Sequence, residues 1–436
     1  MRHLILLVFL ALVASSCKTT KSAVQNAPTV HTIAQLLDTS SVLSQSFTGV
    51  VIYDTGTKQT LFEQNANRFF TPASNTKLYT FYACLKTLGD SIPALRYVIK
   101  GDSLIFWGTG DPTLLHPDFQ TTRVLDFFKA NKDRKLFFSH DNFTNESYGA
   151  GWQWDDYNDY YQAEISPLPL YGNIVRATVK NGKMTVNPPI FKDSFQVTTK
   201  NGSAIIRNIE NNQFNLPLSI RQKVAYQQDI PIKTSLALTQ KMLSDTLKMA
   251  VGLLKIPMPI NAEILYSIPT DTVYRKMMLE SDNMLAEHLL LLTGSRMKDT
   301  INSSLSIDYA KKTYLQDLPD VPKWEDGSGL SRYNLFTPRT TIKLLQKIYL
   351  ERPQDKLFSM LPTGGTGTLG NVYQSDKPFI FAKSGSLSGV YNLSGYLLTK
   401  QGKLLLFSFM NNNFTKPTSS VRKEVERIMT WVAMNY

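Results

Sequence analysis

Ser74 and Lys77 stand one helical turn apart in TPASNTKLYT, a spacing that suits acyl transfer. A serine hydroxyl is a weak nucleophile until a base removes its proton. A lysine becomes such a base when burial and neighbouring cations lower its pKa. Two further polar elements follow in order, Ser281-Asp282-Asn283 and Lys383-Ser384-Gly385. Ser-x-x-Lys also begins at Ser15, Ser295 and Ser420, so the pattern alone is cheap. Ser15 lies in an apolar leader, Ser295 follows the Ser-Asp-Asn element and Ser420 follows the Lys-Ser-Gly element. Ser74 is the serine that remains.

Its surroundings predict a helix. Pro72 sits where helices commonly begin. Leu78, Phe81, Tyr82, Leu85 and Leu88 then recur at helical spacing before Gly89. Ser74 therefore belongs in a first turn, with Lys77 on the same face. The free N–H groups of that turn suit a developing oxyanion. Ser281-Asp282-Asn283 precedes a second apolar run, Met284, Leu285, His288, Leu289 and Leu292. Such a cluster caps any helix. In a catalytic reading, Ser281 lies beside Lys77 and relays a proton to the leaving amine, while Asn283 bonds the substrate amide. His288 reads as structural. FIFAKSGSLSGVYNLSGYLLT reads as two strands, with LLLFSFMNN a third. On that first strand Gly385 permits close backbone approach, Lys383 supplies positive charge and Ser384 can bind a carboxylate. The backbone N–H of Ser386 would complete an oxyanion hole with that of Ser74.

The three elements together resemble those of the class C low-molecular-mass penicillin-binding proteins, the D-alanyl-D-alanine carboxypeptidase/endopeptidase family of serine peptidases, S13. WGTGDPTL (107–114), GWQWDDYNDYY (151–161), DGSGLSRYNLFTPR (326–339) and TGGTGTLG (363–370) resemble further segments of that family. The resemblance runs from about residue 31 to the C-terminus. It implies an α+β fold, an antiparallel sheet flanked by helices, with two inserted β-rich domains. It also implies hydrolysis of D-Ala-D-X bonds in peptidoglycan through an acyl-enzyme, covalent capture of β-lactams and no metal or organic cofactor. Departures from the family pattern are Ser384 in place of Thr, Glu164 in place of a small residue, and HDNFTNESYG (140–149) as a loose match to the region that approaches the stem's diamino acid in relatives. Leu387 is the expected wall of that pocket. The rival readings are a β-lactamase or esterase using the same trio, and a non-catalytic wall-binding lipoprotein. The intact trio argues against the latter.

Residues 1–17 read as a secretory leader: Arg2, the apolar run Leu4 to Val13, then Ala14-Ser15-Ser16-Cys17. The cysteine after small residues is the pattern of a lipidation site, so Cys17 is expected to anchor the protein to a membrane facing the bacterial periplasm. The apolar run is too short to stay as a spanning helix. Residues 18–30 read as a polar tether. The 436 residues contain two cysteines and five histidines, which leaves no disulfide if Cys17 is lipidated and disfavours zinc. Cys84 reads as a buried small residue. The net charge of +12 suits an anionic wall polymer or a membrane surface. With a secretory leader and dispersed charge, nucleic acid is not expected. About two hundred residues separate Ser74 from Ser281, and about one hundred separate Ser281 from Lys383. The catalytic domain is therefore expected over 31–95 and 251–436, with inserted structure over 96–250. RATVKNGKMTV and SFQVTTKNGSAIIRNI carry Asn-Gly turn signals at 181–182 and 201–202.

Overall fold

The computed structural model describes residues 30–295 and 300–436. Cys17 and the expected leader and tether up to residue 29 lie outside them.

The catalytic unit is built on an antiparallel five-stranded sheet. Its order is Ile380–Leu387, Val390–Leu398, Leu404–Asn412, Phe47–Asp54 and Gln59–Gln64. The strand nearest the N-terminus thus pairs with the last strand, Phe47 opposite Asn412 and Asp54 opposite Leu405. Both faces are covered, and the side chains sort by the two-residue period of a strand. Val50, Ile52, Leu405, Phe407 and Phe409 face one apolar cluster, with Val421, Val425 and Met429 of the Thr418–Asn435 helix and Ile33 and Leu37 of the Val30–Asp38 helix. Val51, Leu406 and Met410 face the other, with Leu78, Phe81, Leu289 and Leu345. Helix Asn283–Ser295 is buried from Met284 to its end. An all-round apolar helix belongs inside a core, and this one packs against helix Thr76–Thr87.

Between Thr87 and Thr270 the chain leaves this unit. Strands Val251–Leu254, Lys135–Ser139, Ser103–Gly108, Ser91–Lys100 and Glu263–Pro269 form a second five-stranded sheet in that order. Ser91–Lys100 and Glu263–Pro269 pair with each other, one strand spanning the expected limit at 96 and the other lying beyond that at 250. That ladder joins residues far apart in sequence, which composition does not report. Two three-stranded sheets complete the excursion. One apolar cluster runs from Phe106 and Phe138 through Val175 and Ala177 to Phe214.

The two Asn-Gly signals behave differently. Asn181 and Gly182 both take positive φ and join Ile174–Lys180 to Lys183–Asn187 as a tight hairpin. Asn201-Gly202 makes no hairpin. Phe195–Thr198 runs parallel to Phe214–Pro217, which then pairs antiparallel with Ile206–Arg207. A nonlocal partner decided that register.

Candidate active site

Ser74 lies in a short 3-10 turn, Ala73–Asn75, that leads directly into helix Thr76–Thr87. The turn is stitched to the sheet. Asn75 donates to Ser394 Oγ at 2.8 Å, and Thr71 donates its N–H to Asn412 Oδ1 at 2.8 Å. Two glycines let backbone close over it. A Cβ at Gly385 would stand 2.6 Å from Pro72 O and 2.9 Å from Ser74 N. A Cβ at Gly329 would stand 1.9 Å from Ala73 O, and Gly329 has φ +85°. The strand carrying Lys383 and the loop 326–331 therefore clamp the serine turn from two sides.

Lys77 is fully buried. Its Nζ donates to Ser74 Oγ at 3.0 Å, Asn283 Oδ1 at 2.6 Å and Ser328 O at 2.8 Å. Burial lowers its pKa to about 8, against the opposing pull of Glu287, Asp326 and Asp282. Two of its three partners, an amide oxygen and a carbonyl, only accept. Ser74 is the one partner with a proton to give. When Lys77 is neutral, Asn283 and Ser328 hold its two hydrogens, and its lone pair is left for the Ser74 hydroxyl.

Ser281 occupies the corner between helices Thr270–Glu280 and Asn283–Ser295, in the left-handed conformation at φ +60°. Asp282 caps the second helix by accepting from Leu285 N at 2.8 Å. The expected contact of Ser281 with Lys77 gives way to another: Lys383 donates to Ser281 Oγ at 2.8 Å, and Asn283 takes the place at Lys77. The corner turns successive side chains to different neighbours. Asn283 Nδ2 donates to Tyr161 O at 3.1 Å. The amide expected to meet substrate is thus also a positioning group for Lys77. Lys383 is fully buried and also donates to Ser384 O at 2.7 Å. Burial, and then the charge of Lys77, hold its pKa well below the ordinary lysine value.

Ser74, Ser281, Asn283, Ser384 and Ser386 line one cleft of about 940 Å³, with Leu387 and Tyr161. Segment 140–149 does not line it. Instead Asn142 donates to Gly108 O and Phe143 bridges Ile301, so the loose match there is packing of the insert. Glu164 is buried and accepts from Thr234 N, Thr234 Oγ1 and Tyr148 OH. His288 Nδ1 donates to Gly110 O at 3.0 Å, and burial lowers its pKa to about 4, which keeps the ring neutral. Cys84 is buried on Leu289 O, with its thiol pKa pushed up by desolvation.

Glu287 escaped the sequence reading. It lies one turn beyond Asn283 on the same face, a spacing that could have flagged it. It accepts from Gly327 N at 2.9 Å and Ser328 N at 2.7 Å. Those bonds aim Ser328 O at Lys77. Burial, and then Asp326, raise its pKa to about 8. Asp326 ties the same loop by accepting from Gly329 N, Ser331 N and Asn334 Nδ2, and from Trp152 Nε1 at 2.9 Å.

A serine–lysine pair, a serine–lysine corner and a glycine strand thus meet at one cleft on a sheet capped by its own C-terminal helix. The model of the D-Ala-D-Ala carboxypeptidase 3 (S13) family matches residues 29–435. The chain belongs to that family. It is a serine-type peptidase of the penicillin-binding class. It is 25% identical to D-alanyl-D-alanine carboxypeptidase DacB of Haemophilus influenzae, over 86% of this chain and 87% of that one. It is 28% identical to the D-alanyl-D-alanine carboxypeptidase of an Actinomadura species, over 86% and 79%. The crystal structure of penicillin binding protein 4 from Haemophilus influenzae covers 93% of this chain and 99% of its own at a TM-score of 0.72 and 21% identity, which shows a common fold.

Proposed function

We propose that this S13 peptidase hydrolyses D-Ala-D-X bonds of peptidoglycan stem peptides through an acyl-enzyme on Ser74. The observation that carries the reading is the set of partners at Lys77, of which Ser74 alone can donate. Neutral Lys77 takes the Ser74 proton as Oγ attacks the D-Ala carbonyl. The N–H groups of Ser74 and Ser386 receive the developing oxyanion. The C–N bond then breaks as the leaving amine takes the proton held by Lys77; the Ser281 hydroxyl, which accepts from Lys383 at 2.8 Å, lines the cleft through which that amine departs. A water molecule enters as the amine departs. Lys77 accepts its proton, the hydroxide adds to the ester, and the Ser74 C–O bond breaks with return of the proton to Oγ. No redox step arises.

Incubation with purified muropeptides tests the substrate. The expected result is loss of one D-alanine from pentapeptide stems, or conversion of cross-linked dimers to monomers, read by mass spectrometry. A protein that is acylated by penicillin yet leaves both classes of muropeptide intact would remove peptidoglycan as substrate.

The same reading places the protein in the periplasm, tethered through a lipid on Cys17. Support comes from the apolar leader ending in Ala14-Ser15-Ser16-Cys17 and from the polar residues after it. No helix among the described residues is long and apolar enough to cross a membrane. A palmitate analogue should label the wild type, and Cys17→Ser should shift the protein from membrane to soluble fractions. Equal membrane retention of Cys17→Ser would refute the anchor.

A further inference from the structure

Helix Asn283–Ser295 holds Lys77 at two points. Asn283 does so directly, its Oδ1 accepting from Nζ at 2.6 Å. Glu287, one turn further on, does so through a single residue of another segment. Its Oε1 accepts from Ser328 N at 2.7 Å and its Oε2 from Gly327 N at 2.9 Å, while Ser328 O accepts from Lys77 Nζ at 2.8 Å. Glu287 is 1% exposed and sits among Leu285, Ala286, Leu289 and Leu290. Burying a carboxylate is costly unless its oxygens are bonded, and an apolar side chain would serve the helix as well. What Glu287 adds is its hold on the loop.

Side chains hold the backbone of that loop. Asp326 accepts from Gly329 N and Ser331 N, and Ser328 Oγ accepts from Leu330 N, so these bonds shape the loop from within. The bonds to Glu287 come from outside and set where the shaped loop stands relative to Lys77. Thr80, on the Lys77 helix, adds another by donating its Oγ1 to Gly327 O at 2.6 Å. A Cβ at Gly327 would stand 2.6 Å from Ala286 O, so the loop lies directly on the backbone of the Glu287 helix. The consequence for Lys77 is directional. In the neutral amine, Asn283 Oδ1 and Ser328 O take the two hydrogens, and the lone pair is aimed at Ser74 Oγ. With Ser328 O displaced, the amine is free to rotate about its Cε–Nζ bond. Charge acts on the same atom. Burial lowers the Lys77 pKa, Glu287, Asp326 and Asp282 pull against it, and Lys383 is the cation that faces it from the strand.

We propose that Glu287 is a positioning residue for acyl transfer: by holding the Ser328 carbonyl against Lys77, its carboxylate fixes the direction in which Lys77 takes the Ser74 proton. The proposal rests on the acyl-transfer reading of Ser74 and Lys77, and it extends the apparatus to a group that never meets substrate. Glu287 does not line the cleft, so its effect falls on the rate of acylation and not on binding.

Stopped-flow acylation by a chromogenic β-lactam, followed against pH, tests it in the wild type, Glu287→Gln and Glu287→Asp. Glutamine has one oxygen and one NH2 group, so one of the two backbone N–H groups would face a donor. Glu287→Gln should lower the plateau rate by about 10- to 100-fold, the scale of a small misplacement of a reacting group. It should also move the midpoint of the rise to lower pH by about one unit. The sign follows because a negative charge and a fixed acceptor, both of which favour protonated Lys77, are lost together. Glu287→Asp keeps the charge and shortens the reach, so the plateau should fall while the midpoint moves less. A Glu287→Gln enzyme with the wild-type plateau and midpoint overturns the proposal. So does a lowered plateau at an unmoved midpoint, which a merely structural loop would give. A rise that vanishes in Glu287→Gln belongs to the titration of Glu287 itself and overturns it too. A thermal melt identifies a variant that does not fold. If Glu287→Gln is such a variant, Glu287→Asp carries the test, and wild-type acylation by it overturns the proposal. Lys77→Arg separates the two levels of the argument. If it acylates as the wild type does, the reading of Lys77 as base falls and the positioning role falls with it. If it loses acylation while Glu287→Gln keeps the wild-type profile, only the positioning role falls.

Discussion

Ser74→Ala forms no covalent adduct with a labelled penicillin and turns over peptide roughly 10⁴-fold more slowly or worse, the scale seen when a covalent nucleophile is deleted. The loss is chemical and not structural. The turn around Ser74 is held by Asn75 on Ser394, by Thr71 on Asn412 and by close backbone packing at Gly385 and Gly329, none of which uses the Ser74 hydroxyl. The variant should therefore melt near the wild type. Intact-protein mass spectrometry before and after incubation reads the adduct directly. An adduct that survives in Ser74→Ala would move the nucleophile elsewhere in the chain. The same experiment on the wild type separates a peptidase from a β-lactamase of similar fold. A penicilloyl ester that outlasts many peptide turnovers belongs to the former, and rapid release belongs to the latter.

Lys77→Arg folds and acylates more slowly by roughly two orders of magnitude or more, the usual scale of a lost general base. Arginine keeps the charge and stays protonated, so it cannot accept the serine proton. The pH dependence carries the same test with a definite sign. Burial lowers the Lys77 pKa to about 8, so the neutral base is the minor form below that pH and the major form above it. Acylation by a chromogenic β-lactam should rise with pH towards a plateau beyond about 8. Glu287, raised to about 8 by its own burial, titrates in the same range and could mimic the profile. Lys77→Arg distinguishes them, because it abolishes the rise if Lys77 is the base and leaves it if Glu287 is responsible. A folded Lys77→Arg enzyme that acylates within a few-fold of wild type would leave Lys77 as a charge that orients substrate.

The proposed acyl-transfer pair was legible in the sequence because it is local. Ser74 and Lys77 are three residues apart at a helix start, and a helix turn by itself brings their side chains together. The strands around Lys383 and the hairpin at Asn181-Gly182 were legible for the same reason, since periodicity and turn chemistry act over a few residues. The need for glycine at 385 was legible as close approach, and the structure shows what approaches: the backbone of the serine turn.

What spacing could not reveal was which long-range neighbour each polar side chain would meet. Ser281 and Asn283 were one motif on the page. The helix corner at Ser281 separates them and sends one to Lys383 and the other to Lys77. Glu287 reads as one polar residue in an apolar helix until the loop 326–331 folds onto it and its carboxylate meets two buried N–H groups. Lys383 reads as a cation for substrate, and burial alone removes it from the cleft wall. The inserted sheet drew its edges from a ladder between Ser91–Lys100 and Glu263–Pro269, residues far apart in sequence. Local rules set the helices, turns and the contact of Ser74 with Lys77. Burial and hydrogen-bond satisfaction, which exist only once distant segments pack, decided the charges, the partners and the shape of the site.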